Sequence, residues 1–451
     1  MKKLDLLIRG GTLVLEGRIV PGNLGVRDGR IVSVGERDHQ PAAHDVFDAR
    51  GLHVLPGAID CHVHFRDPGS EYKETWRTGS AAAAAGGVTT VLDMPNTNPP
   101  TSDLPGAQAK RQRARAQSVV DWGLYGVLDE TSLPHLDALI DSGIVGFKCF
   151  MTETTGDLPS PDDGVIFEGF EHLARRGVRC SVHAENAAIM QRRRRSFIAQ
   201  GRSDPAAHEE SRPEVCEIEA VRRTATLASA AGNPVHIAHV SSGGGARAIA
   251  EAQRLGLDLT AETCPQYLLF DSSDVARMGG LLRVNPPIRG AGHRDALWAA
   301  MHQGVIGMIA TDHAPHTWAE KMNPSIWECC RGMIGLESQM AVMLTEVQRG
   351  RLSLLDYVRF AATNPAKAWG LYPNKGTIAV GTDADLALVD LDASTHVDQE
   401  THHSLNRISP WHGRLITAKP VHTFVRGRLV YTQGRVIGEP GWGREIGRCA
   451  P

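Results

Sequence analysis

The stretch GAIDCHVH at residues 57–64 combines a buried strand with residues that can bind a metal. It begins with the apolar residues 57–59, as expected of a parallel strand covered on both faces. His62 and His64 lie two residues apart near its end, so both imidazoles point to the same face of the strand. The same arrangement, a short apolar strand ending in a candidate ligand, recurs through the middle of the chain.

Eight short strand-like segments succeed one another, separated by stretches rich in Ala, Arg and Glu that predict helices, and five of the eight carry such a ligand near their end. Eight βα units in a row favour a closed (β/α)₈ TIM barrel of the α/β class. An open doubly wound sheet is the alternative. The predicted strands are Gly57–His64, Thr89–Met94, Trp122–Val127, Val145–Phe150, Arg179–Glu185, Val235–Val240, Asp258–Thr263 and Gly307–His313. The predicted helices include Thr75–Ala85, Pro105–Gln117, Glu214–Ala231 and Ala246–Leu255.

The two ends of the chain differ from this middle. Short β-like runs broken by glycine fill the N-terminal part, and similar runs recur at Ala384–Leu391 and Val421–Thr432. They predict antiparallel strands that form one small β-sandwich domain from both termini. We expect this domain to comprise residues 1–55 and 375–451, and the barrel to comprise residues 56–374.

Composition excludes several classes of function. The chain has 451 residues, of which 42% are hydrophobic and 22% charged, and a formal net charge of -3. Neither nucleic acid nor an anionic membrane is therefore expected as the main partner. We find no apolar run of the ~20 residues that a membrane span needs, and no signal peptide, so we expect a cytoplasmic protein. The eight cysteines lack paired spacing and are expected to be reduced core thiols, with a redox or metal role for Cys329–Cys330 as the alternative.

Candidate metal ligands lie near the ends of five predicted strands. If the barrel closes, they meet at its carboxyl mouth, where such barrels keep their active sites. Imidazole and carboxylate are suitable ligands for Zn²⁺, Mn²⁺ or Fe²⁺. A single strand histidine is commonly a hydrogen-bonded core residue, and Asp312 alone could cap a helix. Together the residues favour a metal site: His62, His64, Lys148, His183, His239 and Asp312.

Lys148 is the unusual member of this set, because cations repel an ammonium group. Burial and nearby cations both lower a lysine pKa. The free amine could add carbon dioxide and become a carbamate, whose two oxygens could bridge two metals. Two metals about 3.5–4 Å apart would share a hydroxide that could act as a nucleophile in hydrolysis.

These motifs resemble those of the cyclic amidohydrolases, which include dihydroorotases, allantoinases and hydantoinases. The resemblance runs from GAIDCHVH to the closing GTDADL at residues 381–386. It implies two divalent metal ions, expected to be zinc, and a homo-oligomer, either a dimer or a tetramer. It also implies that Asp312 is the proton shuttle. The implied ligands are His62, His64 and Asp312 for the more buried metal, His183 and His239 for the second, and carbamylated Lys148 as the bridge.

Several motifs look most like dihydroorotase: FRDPG at 65–69, MPNTNP at 94–99 and VNPPIR at 284–289. There the residues that match Arg66 and Asn96 hold the substrate carboxylate, for which arginine offers a planar donor fork. Asn285 and His316 match further substrate contacts. The leading hypothesis is reversible hydrolysis of dihydroorotate to carbamoyl aspartate. For Arg66, a structural ion pair with a neighbouring acidic residue is the alternative.

Other motifs are closer to allantoinases and hydantoinases: GFKCFM at 146–151, VHAEN at 182–186 and SPWHGR at 409–414. Arg331 also stands where many dihydroorotases carry Phe. Allantoin or a 5-substituted hydantoin is therefore the alternative substrate. A more remote alternative is an inactive scaffold, but such relatives lose metal ligands and this chain keeps all six candidates.

Overall fold

The computed structural model describes residues 3–36, 41–154 and 158–448. Its centre is an eight-stranded parallel sheet in which the strands are neighbours in chain order. A parallel bridge between Val63 and His313 joins the last strand to the first, and the His64 N–H donates to the His313 carbonyl at 2.8 Å. The sheet is therefore a closed barrel, which confirms the predicted fold class. The barrel strands are Ala58–Val63, Val88–Asp93, Asp121–Val127, Gly146–Phe150, Cys180–His183, Val235–Ile237, Leu259–Thr263 and Met308–Ile309.

Helices follow the barrel strands, and their termini carry clear local signals. The first helix begins after Thr75, which forms a capping box with Thr78, and continues through five alanines. The helix Glu214–Ala231 ends at Gly232, whose φ of 72° an L-residue rarely adopts. The α-helices are Trp76–Ala85, Leu104–Gln117, Leu136–Asp141, Asp163–Arg175, Ala187–Ala199, Pro205–Ser211, Glu214–Ala231, Gly243–Arg254, Pro265–Leu269, Ser272–Met278, Ala291–His302, Trp318–Lys321, Gln339–Gln348, Leu354–Val358 and Asn364–Ala368; a π-helical turn spans Arg359–Thr363, and 3₁₀ turns span Leu133–His135, Gly279–Leu282 and Gln399–Thr401.

Both termini contribute to one nine-stranded mixed sheet beside the barrel. Its long first strand pairs in antiparallel fashion with Arg18–Arg27 but in parallel with Ala43–Asp48 and His53–Pro56. The prediction of purely antiparallel strands is therefore wrong at these two pairings. An irregularity between Ile8 and Gly11 divides the first strand, so each half takes a different parallel neighbour. The strands are Leu4–Leu15, Arg18–Arg27, Arg30–Gly35, Ala43–Asp48, His53–Pro56, Leu386–Asp390, Lys419–Val425, Arg428–Thr432 and Arg435–Val436, and Thr395–His396 pairs separately with Leu415–Ile416.

Two of the hydrophobic clusters link sequence position to architecture. One lies within the strands from the two termini and includes Ile8 and Leu386. The larger one joins the barrel and its helices, including Trp122, to the terminal sheet through residues such as Val425. The cysteines at the seven described positions are unpaired, as expected, and Cys449 lies outside the described residues. Within the described ranges, no helix is both long and apolar enough to cross a membrane.

Candidate metal centre and active site

A cavity of about 480 Å³ opens at the carboxyl ends of the barrel strands. His62 is on the first strand, His183 ends the fifth, and His239 and Asp312 follow the sixth and eighth. Three of these residues each place a ligand atom within 4.8 Å of the other two: His62, His239 and Asp312. The cavity is lined by His62, His64, Arg66, Asn96, Phe150, Glu153, Thr154, His183, His239, Asn285, Asp312, Ala314, Arg331 and Gly332.

The histidine rings form a continuous group around Asp312. The ring centroid of His62 lies 5.4 Å from that of His64 and 5.2 Å from that of His239. The centroids of His183 and His239 are 4.5 Å apart. Asp312 Oδ1 is 3.1 Å from His64 Nε2 and 3.4 Å from His62 Nε2. The structure thus brings together the predicted ligands from the first, fifth, sixth and eighth strands.

The backbone at this site adopts an uncommon conformation at three residues. Arg66, His239 and Asp312 have φ values of 60°, 38° and 50°, in the left-handed region that non-glycine residues rarely occupy. Such conformations cost free energy and cluster at functional sites, where the surrounding structure holds them. Here they lie directly after barrel strands and direct the side chains into the cavity.

Burial favours the neutral form of three candidate histidine ligands, His64, His183 and His239. It lowers the pKa of His64 to about 3, with a further contribution from the nearby Arg66 cation. Burial also lowers the pKa of His183 and, together with the charges of His183 and Lys148, lowers that of His239 well below its usual value. A neutral imidazole has a free lone pair and is the form that binds metals.

Asp312 is ionised among these histidines. Burial alone would raise its pKa, but His62 and His64 outweigh burial and lower it. A buried carboxylate surrounded by imidazoles is a ligand set that suits a divalent cation.

Lys148 is fully buried in the fourth strand, and its amine has no hydrogen-bond partner among the described residues. Its Nζ lies 5.4 Å from the centre of the Phe150 ring. Burial lowers its pKa, although Glu262 and Asp312 oppose that shift. His239 Nδ1 is likewise buried without a partner. Two orphaned buried nitrogens beside a carboxylate indicate that a ligand completes this site, and divalent cations fit it.

Glu262 supports the histidines and was missed by the sequence analysis. It is buried in the seventh barrel strand, where its Oε1 is 2.5 Å from His62 Nδ1 and its Oε2 is 3.1 Å from His236 Nε2. It also accepts from the His239 N–H at 3.3 Å. Burial would raise its pKa, but the histidines hold it well below the usual value. A carboxylate inside a short predicted barrel strand, LTAET at 259–263, was the available signal.

Three of the four predicted substrate contacts line the cavity. Arg66 is almost fully buried and its Nε has no partner among the described residues, while burial lowers its pKa. Asn96 accepts a hydrogen bond from His64 Nδ1 at 2.8 Å. Asn285, with its amide oxygen turned to Arg212, accepts from that guanidinium at 2.9 Å. These side chains offer donors and acceptors around a small polar ring.

His316, the fourth predicted contact, is placed differently. It is not among the cavity-lining residues, and both of its ring nitrogens have partners. Nδ1 lies 3.1 Å from Lys73 Nζ, and Nε2 donates to the Arg331 carbonyl at 3.0 Å. His316 therefore holds the loop that carries Arg331, and its ring does not reach into the cavity.

Comparison with known proteins agrees with this geometry. The model of the Amidohydrolase family matches residues 53–430. An L-hydantoinase from Paenarthrobacter aurescens is 36% identical over 449 residues, with 98% of each chain covered. An allantoinase from Rubrobacter xylanophilus is 38% identical over 443 residues, covering 98% of this chain and 97% of the relative. The solved L-hydantoinase (dihydropyrimidinase) of Arthrobacter aurescens superposes with a TM-score of 0.96 at 36% identity, over 99% of this chain and 100% of the other.

The chain therefore belongs to the amidohydrolase family. Within it, this protein is a cyclic amidohydrolase, an enzyme that hydrolyses carbon–nitrogen bonds in cyclic amides. Members of the family typically use two metal ions. The relatives named above are hydantoinases and an allantoinase, so they support the alternative in the sequence analysis better than its leading hypothesis of dihydroorotase.

Proposed function

We propose that this enzyme hydrolyses the ring amide of a cyclic ureide of the hydantoin or allantoin type. The observation that carries this proposal is the convergence of four histidines and Asp312 on one cavity. An unpartnered buried lysine, Lys148, lies in the strand that pairs with the one ending at His183. The names of its relatives give the ring class.

We also propose that the site holds two zinc ions. The ligands would be His62, His64 and Asp312 for one ion and His183 and His239 for the other, with Lys148 between them as a carbamate. The neutral amine of Lys148 would attack carbon dioxide and lose a proton, which gives an anionic carbamate in place of a buried cation. The unpartnered state of Nζ and its lowered pKa support this modification.

When bound, the metal pair polarises the scissile carbonyl and lowers the pKa of the attacking water. Asp312 then takes the proton of that water on its carboxylate and delivers it to the leaving ring nitrogen. Its ionised state in the free enzyme suits the first of these steps. Arg66, Asn96 and Asn285 orient the ring through its polar edges.

A substrate panel on zinc-loaded enzyme tests this function. We expect kcat/KM for allantoin or a 5-substituted hydantoin to exceed that for dihydroorotate, which differs in having a ring carboxylate. Hydrolysis of dihydroorotate alone would overturn the proposal. Two equivalents of metal per chain are expected by elemental analysis, whereas metal-free protein without activity on any ring would favour the scaffold alternative.

A further inference from the structure

A second cavity, of about 340 Å³, adjoins the metal-centre cavity and shares Glu153 and Arg331 with it. We call it the arginine pocket, because four guanidinium groups line it. Among its described lining residues, Glu153 is the one carboxylate. The four arginines are Arg194, Arg212, Arg283 and Arg331.

The positive charge in the arginine pocket is only partly matched. Arg212 pairs with the buried Glu185. Arg194 and Arg331 each approach Glu153 Oε2 only to 3.7 Å, so they share one carboxylate at long range. Three arginines besides Arg212 therefore face a single negative charge, with Arg194 and Glu153 partly exposed at the rim of the cavity.

Arg283 is the most deeply placed of these groups. It is 4% exposed, donates to the Cys329 carbonyl, and has an Nε without a hydrogen-bond partner among the described residues. Burial lowers its pKa, and with the neighbouring cations Arg331 and Arg212 brings it to about 9. Gathering buried like charges costs free energy, which a bound anion would offset through charge-assisted hydrogen bonds.

We propose that the arginine pocket binds a carboxylate on the side chain of the substrate ring, so that the enzyme prefers hydantoins with an acidic 5-substituent. This inference rests on the proposed function, because it needs the ring at the metal centre. Arg331 and Glu153 line both cavities, so a substituent on a bound ring passes between them. Arg66 lines only the metal-centre cavity, and would contact a carboxylate attached directly to the ring.

The test compares two hydantoins that match in shape and differ in charge: one with a 2-carboxyethyl group at position 5 and one with the 2-carbamoylethyl group. For zinc-loaded wild-type enzyme we expect kcat/KM to be at least about tenfold higher for the acid, as one charge-assisted hydrogen bond would give. Arg194→Gln and Arg331→Gln should each reduce this ratio several-fold, and the double variant should bring it close to one.

Arg195→Gln is the matched control, since Arg195 is exposed on the same helix as Arg194 and is not among the lining residues. It should leave the ratio unchanged. A wild-type ratio near one, or a ratio retained in the double variant, would overturn the proposal. If neither compound is hydrolysed, the substrate panel above decides about the proposed function. The ratio of the calorimetric dissociation constants of the same two compounds then tests the pocket, and a ratio near one overturns this proposal.

Discussion

Lys148 and Lys375 are both buried lysines, yet their surroundings are opposite. Lys375 Nζ lies 2.7 Å from Asp121 and 2.5 Å from Asp385, and 3.1 Å from Asp383. Burial alone would lower its pKa, but these carboxylates outweigh burial and raise it. Lys148 has no such hydrogen-bond partner within the described part of the chain, and burial lowers its pKa.

The difference follows their positions in the barrel. Lys375 contacts Asp121 at the amino end of the third strand, where Arg426 also pairs with Asp121 and ties the terminal sheet to the barrel. Lys148 lies in the strand that leads to the carboxyl mouth. A buried lysine whose charge is fully matched stabilises the fold, whereas one left without partners is available for chemistry.

Replacing Lys148 is expected to have the largest effect. Lys148→Met removes the proposed bridging carbamate, so we expect loss of bound zinc and a fall in kcat/KM of more than about 10³-fold. Metal-free stability should be unchanged or higher, because the variant removes a buried amine without a partner. Elemental analysis, kinetics and chemical denaturation measure the three quantities. A variant with full metal content and activity would contradict the role of Lys148.

Lys375→Met is the matched substitution, and the comparison predicts the reverse outcome. It removes the buried cation shared by Asp383 and Asp385 and leaves Asp121 with Arg426 alone, so the free energy of unfolding should fall by about 3–5 kcal/mol. Metal content and kcat/KM per folded molecule should stay near the wild-type values at a temperature well below the transition. Equal stability of this variant and the wild type would show that the cluster is not structural.

Sequence reasoning predicted that His62, His64, His183, His239 and Asp312 would lie close together, and in the structure all five line one cavity. Two general rules made this possible: side chains two apart on a strand share a face, and the strand ends of a closed barrel meet at one mouth. Glu262 escaped this reasoning, because its role depends on His62 and His236, which are 200 and 26 residues away. The parallel pairings of the first strand also escaped, since hairpin signals are local. The arginine pocket is assembled from helices and loops, for which the sequence shows no period.

Glu262→Gln tests how the metal centre is supported. The amide cannot balance two histidines as a carboxylate does, so zinc affinity and kcat/KM should fall by about 10–100-fold. Competition with a chelator measures the affinity. Glu346→Gln is the control, because Glu346 is also buried but pairs with Arg349 and Arg351; it should leave zinc affinity intact. An equal loss in both variants would mean that the effect is only one of stability.

The smallest expected effect is on stability and comes from an ion pair of His403 that depends on pH. His403 Nδ1 lies 3.0 Å from Glu337, and this hydrogen bond raises the pKa of His403. Because the folded-state pKa is the higher one, the pair stabilises the protein fully below the ordinary histidine pKa of about 6.5. That contribution is lost as the pH rises through the raised folded-state pKa. His403 is 22% exposed, so the pair is expected to contribute less than about 1 kcal/mol to stability.

In metal-free protein, His403→Gln should lower the unfolding free energy at pH 5.5 more than at pH 8.5. The control His396→Gln, at an exposed histidine, should show no such difference between the two pH values. A deficit that grows with pH would reverse the sign and exclude this pairing.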